Sequence, residues 1–123
     1  MLKLLLDEHI SPAVAAGLRR RRKGVAVLAM AEWEDGQFLG QEDWVFLGEA
    51  VRQGLTLVTY DRRTIPTLLK AWAEDGRTHG GIIFVDEKTI SARDFGGLVG
   101  ALDELIESGD ASEWEDRIIY LRR

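Results

Sequence analysis

Residues 4–11 read LLLDEHIS: three leucines run directly into two acids and a histidine, with no turn residue between them. A strand of that kind ends in a low-dielectric interior, where an ionised carboxylate is costly to desolvate. The same juxtaposition recurs twice. LTLVT (55–59) is followed by Asp61, and GIIFV (81–85) by Asp86. A fourth acid, Asp43, stands three and four residues before Phe46 and Leu47, on the inward face of a first helical turn. Carboxylates brought together repel and raise one another's pKa. A hard divalent cation resolves that conflict, and oxygen-only ligands favour Mg²⁺ or Mn²⁺. A site of this kind performs metal-assisted phosphoryl chemistry.

Each acid also has a structural alternative, because aspartate caps helices and makes turns in βα loops. Asp86, followed by Glu87 and Lys88, stands evenly between the two roles. Asp7 is harder to assign to a cap, since Glu8 doubles the desolvation cost and Ser11 already supplies one. His9 is read as a neighbour of the site. His9 and His79, the two histidines, lie too far apart in sequence to claim as a metal pair. The four tryptophans are read as core and rim packing rather than a base-stacking platform.

The elements that must position these acids follow from apolar runs and their punctuation. Short apolar runs predict strands at Leu2–Leu6, Val25–Ala29, Leu55–Thr59, Gly81–Val85 and Arg117–Leu121. Ser11-Pro12 opens a helix that ends in basic residues and Gly24. Glu42–Gln53 forms a second, closed by Gly54, and Thr64-Ile65-Pro66 opens a third that closes near Gly76. Ser91 is expected to cap a fourth, ended by Gly109. Residues 30–41 read as a loop. Strand and helix alternate throughout, which predicts a mainly parallel sheet of about five strands between helical layers, a three-layer α/β/α sandwich. Ligands of such sheets bind outside the carboxyl ends of the strands, where Asp7, Asp61 and Asp86 stand.

The length of 123 residues fits one domain spanning 1–123. Cysteine is absent, which excludes disulfides and thiolate metal sites. No run approaches the roughly 18 apolar residues of a membrane span, and the N-terminus is not a signal peptide. The expectation is a cytoplasmic protein with no membrane contact. The net charge of −5 does not advertise nucleic-acid binding, but the charge is unevenly spread. Residues 19–23 read RRRRK, while residues 103–116 carry seven acids (Asp103, Glu104, Glu107, Asp110, Glu113, Glu115 and Asp116) and no base. The basic run is either a solvated helix end, favoured by the helix dipole, or a phosphate contact. Nucleotide cofactors have no support, since neither a GxGxxG nor a P-loop motif occurs.

In order and spacing, LLLDEHIS, the basic helix end, EDWVFLGEA, GLTLVTYD and HGGIIFV resemble the PIN-like family of small proteins that open on an LLDEN-type motif. The match runs over residues 2–86, and these proteins are similar to the toxin subunits of bacterial toxin–antitoxin pairs. The resemblance implies a PIN-like sandwich and Mg²⁺- or Mn²⁺-dependent cleavage of RNA. It assigns Asp7, Asp43 and Asp61 as metal ligands and, with Glu8, as catalytic residues. It also implies an antitoxin protein as partner, with a homodimer as a further association. Three positions depart from the family pattern: His9 replaces its usual Asn, and Arg63 and Thr64 replace the Asp and Phe that often follow its T-x-D motif. Arg62 and Arg63, beside Asp61, are candidates for contacting substrate phosphate. Two other readings compete. One is a PIN-like binding module that retains the fold without turnover. The other is a receiver-type signalling domain, which needs Ser or Thr after the fourth strand and Lys after the fifth; the chain reads VDEK and YLRR there.

Overall fold

The computed structural model describes residues 2–108 and 113–123. The elements alternate along the chain as β1 (Lys3–Leu6), α1 (Pro12–Arg21), β2 (Ala26–Ala29), α2 (Asp43–Gln53), β3 (Thr56–Thr59), α3 (Thr64–Glu74), β4 (Ile82–Val85), α4 (Phe95–Glu107) and β5 (Ile118–Leu121). A single 3₁₀ turn, Trp33–Gly36, interrupts the loop before α2. All five strands are parallel, in the order β2-β1-β3-β4-β5.

Alternation along each strand divides the core in two. Leu4, Leu6, Val58, Ile83 and Val85 point to one face, where Val14 and Leu18 of α1 and Leu98 and Leu102 of α4 cover them. Leu5, Leu57, Ile82 and Phe84 point to the other, under Phe46 and Leu47 of α2 and Ile65, Leu69 and Trp72 of α3. This is the expected three-layer α/β/α arrangement, with β1, β3 and β4 buried on both faces. Burying one such leucine contributes about 1.5–3 kcal/mol relative to exposure.

Each observed strand starts one residue later than its apolar run. At β4 the reason is conformational. Gly81 has φ +104°, and a Cβ there would lie 2.8 Å from the Trp114 carbonyl oxygen, so the residue turns the chain into the strand rather than extending it. The start of α4 is a second correction. Its cap is Asp94, whose carboxylate accepts the Gly97 N–H at 2.9 Å. Ser91 instead accepts the Arg93 N–H at 3.2 Å in the turn before it. The expected stop at Gly109, and Asp110 of the acidic run, lie outside the described residues.

The basic run is divided: Arg20 and Lys23 are exposed, while Arg19, Arg21 and Arg22 are engaged by acids. Arg19 grips Glu32 with two bonds of 2.9 and 2.8 Å and also bonds the Val27 carbonyl. Arg21 and Arg22 bond Asp103 of α4 at 3.1 and 2.8 Å, and Arg22 also pairs with Glu107. The basic end of α1 and the acidic end of α4 thus neutralise each other across a helix contact. Val99 of α4 stands 3.0 Å from where a Cβ on Gly17 would sit.

Candidate functional site

The sheet order sets β1 beside β3, so the residues that follow these strands are neighbours. The Asp7 N–H continues the ladder to the Val58 carbonyl at 3.0 Å, which carries the side chain into the protein rather than into solvent. Asp7 is only 6% exposed. Its Oδ2 accepts a 2.5 Å bond from the hydroxyl of Thr59, itself fully buried. The same hydroxyl accepts the Asp61 N–H at 2.9 Å. Burial pushes the Asp7 carboxyl above its ordinary range. The Thr59 bond, the nearby His9 and the backbone N–H groups of Glu8 and His9 only partly offset it.

Asp61 lies at the entrance to α3. Its Oδ1 accepts the N–H groups of Arg63 and Thr64 at 2.9 and 2.8 Å, and its Oδ2 accepts the Thr64 hydroxyl. Partial burial works against its charge. The Thr64 hydroxyl and the N–H groups of Arg63, Thr64 and Ile65 outweigh that and hold the carboxyl below its ordinary range. Asp61 therefore caps α3 from outside the helix, two residues before the N-cap position Arg63, whose own side chain makes no capping bond.

Asp43, the first residue of α2, reaches the same hydroxyl. Thr64 Oγ1 stands 2.6 Å from Asp43 Oδ2 while also bonding Asp61. One hydroxyl carries one proton, so it can donate to only one of the two carboxylates at a time. Asp43, Thr64 and Asp61 form one cluster, and Thr59 links it to Asp7.

The cluster opens on a cleft of about 330 Å³ lined by Asp7, His9, Tyr60, Asp61, Arg63, Thr64 and Glu87. Tyr60 turns its hydroxyl away, donating to the Ile90 carbonyl at 3.0 Å, and presents its ring as a wall. Glu8 does not line this cleft. It is exposed and accepts the Gly40 N–H at 3.1 Å, tying β1 to the loop before α2. Asp86 is a turn residue whose Oδ1 accepts the Lys88 N–H at 3.0 Å, and the acid that reaches the cleft from β4 is its neighbour Glu87. The arginine pair divides. Arg63 lines the cleft, while the Arg62 guanidinium lies 5.1 Å above the Tyr120 ring on the β5 side. Trp33 and Trp72 are core, Trp114 is half-buried and Trp44 is exposed.

Thr59 and Thr64 went unassigned in the sequence, because a threonine hydroxyl has no spacing signature. The available sign was a polar residue closing an otherwise apolar strand. The acids do not close on one point: among the described residues, no three Asp, Glu or His side chains form a metal-sized cluster. The donor chemistry nevertheless fits a hard divalent cation, since two carboxylates plus water are a normal Mg²⁺ ligand set. Asp43 and Asp61 are the pair that would hold it, with Asp7 behind Thr59. Comparisons with family models, curated proteins and solved structures find no match to this chain.

Proposed function

We propose that the protein is a Mg²⁺- or Mn²⁺-dependent ribonuclease of the PIN-like kind, acting as the toxin component of a toxin–antitoxin pair. The observation that carries this reading is the convergence of Asp43 and Asp61, from two separate helix starts, on a single hydroxyl at the carboxyl edge of the sheet. When bound there, a divalent cation supplies charge neutralisation and a more acidic water. The chain's own residues do the rest. Arg63 meets a phosphate at the cleft, and Asp7, held by Thr59, orders water beside it. The same reading puts the protein in the cytoplasm, with an antitoxin protein or a second copy as partner. No helix among the described residues is long and apolar enough to cross a membrane.

Two competing readings each draw on one observation. Thr64 fills the space between Asp43 and Asp61, as expected of a binding module without turnover. The strand order is one that receiver domains use, yet Val85-Asp86 and Leu121-Arg122 stand where such a domain needs a hydroxyl and a lysine. The test is RNA incubated with Mn²⁺ or Mg²⁺ and with EDTA. Cleavage is expected only with metal and is expected to disappear in Asp43→Asn and in Asp7→Asn. Metal-independent cleavage that survives both substitutions marks a contaminant, and intact RNA across single-stranded and structured substrates favours the binding module.

A further inference from the structure

α2 covers the core with one face and turns an unusual face outward. Phe46, Leu47 and Ala50 are buried, and Asp43 stands on their side of the helix. Trp44, Val45, Gly48, Val51 and Arg52 recur at the spacing of a single helical stripe on the opposite side. In a chain with 30% charged residues an outward stripe should be mainly charged, yet Arg52 is the one charge in it. Trp44 is 62% exposed, the highest value among the exposed large hydrophobic side chains. An open groove of about 740 Å³ runs along the stripe, lined also by Phe38 and by residues 76–78 beyond α3.

Gly48 sits at the middle of the stripe. A glycine inside a helix weakens it relative to alanine. Nothing within the molecule asks for one here, because a Cβ on Gly48 would meet no atom within 4 Å and the backbone is ordinary helix. A missing side chain at the centre of an apolar stripe lets a second helix approach closely.

The charges along α2 select the occupant and its direction. Arg52 stands in the last turn, and the exposed acid Glu42 stands at the N-cap, where its side chain makes no capping bond. The other ionisable groups lining the groove are Glu49, which pairs with Arg52 of its own helix at 3.3 Å, and Arg77, which stacks over the Trp72 ring at 4.1 Å. Glu49 and Glu34 both accept the Gln53 amide at 2.8 Å, on the flank of the helix rather than on the stripe. Glu74 and Asp75, exposed at the end of α3, do not line the groove. A second copy laid antiparallel about Gly48 sets Trp44 level with Arg52 of the other chain, and Val45 level with its Val51. Each Arg52 then ends within a turn of the opposite Glu42, and the two helix dipoles oppose. A parallel copy would set Glu42 on Glu42 and Arg52 on Arg52. A helix of another protein would need a matching stripe of its own, whereas a second copy carries one by construction.

We propose that two copies of the chain pair through an antiparallel contact of their α2 helices, centred on Gly48 and sealed by Trp44. The contact lies on the face of α2 opposite Asp43, so it does not depend on metal chemistry at the carboxylate cluster. An 11-residue helix is only about 16 Å long, so the interface is small and the dimer should dissociate in the micromolar range. Sedimentation equilibrium of the full chain over a dilution series should show dimer giving way to monomer. Gly48→Arg enters open space in the single molecule, so its circular dichroism should be unchanged, but it sets two like charges on the symmetry axis. Dimerisation should weaken by about tenfold or more. Should that variant fold poorly, Trp44→Ser, at an exposed position, carries the same test. Charge exchange reads the direction. Arg52→Glu and Glu42→Arg should each weaken self-association, since each brings like charges together. Mixed in equal amounts they should recover a heterodimer near wild-type affinity, because one of its two charge contacts is unaltered and the other is reversed. A wild type that stays monomeric at every concentration overturns the proposal and leaves the stripe to a helix of another protein. A dimer indifferent to Gly48→Arg and Trp44→Ser overturns it by placing the contact elsewhere. So does a mixture that recovers no dimer, because the antiparallel register would then be wrong.

Discussion

Asp61 is asked to do two things, to cap α3 and to hold a cation, and two substitutions separate them. Asp61→Ala removes three acceptor contacts at once: the N–H groups of Arg63 and Thr64 at 2.9 and 2.8 Å, and the Thr64 hydroxyl. Loss of a helix cap costs about 0.5–2 kcal/mol. Because the acceptor here is charged and half-buried, the upper part of that range, about 1–2 kcal/mol, applies. For a domain of this size, about 1 kcal/mol moves the melting midpoint by roughly 3–5 °C. Asp61→Ala should therefore melt several degrees below wild type in EDTA. Asp61→Asn retains an amide oxygen for the two N–H groups and should melt within a few degrees of wild type. Mn²⁺ at a hundred times its dissociation constant stabilises wild type by about 2.7 kcal/mol, and both variants should lose most of that gain. The pH dependence has a definite sign. The Asp61 carboxyl lies below its ordinary value of 3.8 when folded, so its contribution is present above that value and fades as pH falls through the folded one. The gap between wild type and Asp61→Ala should accordingly narrow in acid. Scanning calorimetry with EDTA and with Mn²⁺ decides. An Asp61→Ala midpoint equal to wild type in EDTA refutes the cap, and a full Mn²⁺ shift in Asp61→Asn refutes the ligand.

Three further expectations follow from neighbouring geometry. Asp7→Asn keeps an acceptor for Thr59 and removes a charge that burial disfavours, since the folded pKa is raised above 3.8. Its midpoint in EDTA at neutral pH should rise, and the gain should vanish in acid, where the wild-type carboxyl takes up its proton. Thr64→Ala leaves Asp43 and Asp61 facing each other without a donor, so the metal-free midpoint should fall while the Mn²⁺-induced rise grows; calorimetric titration of Mn²⁺ checks this. His79 is held neutral because burial lowers its pKa below 6.5 against the weaker pull of Asp116, and its Nδ1 accepts the Gly81 N–H at 3.0 Å. Below about pH 6.5 the unfolded chain takes up a proton that the folded chain does not, so urea midpoints should fall there, and His79→Gln should flatten the decline.

Much of the fold is written in residues a few positions apart. Apolar runs of strand length, helical stripes such as Phe46, Leu47 and Ala50, and stops such as Gly54 at φ +70° specify the alternation of strand and helix. That alternation calls for a parallel layered sheet, because a strand must cross back over a helix to pair in parallel. Asp7 and Asp61 were legible as oddities for the same local reason, polar groups set hard against buried runs. Local chemistry misled at α4, where Ser91 and Asp94 both satisfy the pattern of a cap and the turn between them decides the winner.

What the tertiary structure decided is everything that depends on which strands lie side by side. The order β2-β1-β3-β4-β5 brings Asp7 to Thr59 across 52 residues. The packing of α2 beside α3 delivers Asp43 to Thr64 across 21. It leaves Glu8 on the Gly40 loop and gives the β4 side of the cleft to Glu87 rather than Asp86. Arg21 and Arg22 of the basic run found their acids on α4, more than 80 residues away. Ile118 and Tyr120 of β5 stay exposed because the α2/α3 layer ends one strand short of them. Periodicity records which face of an element is apolar, whereas these pairings follow from how the buried faces close over one another, and a one-dimensional pattern carries no coordinate for that closure.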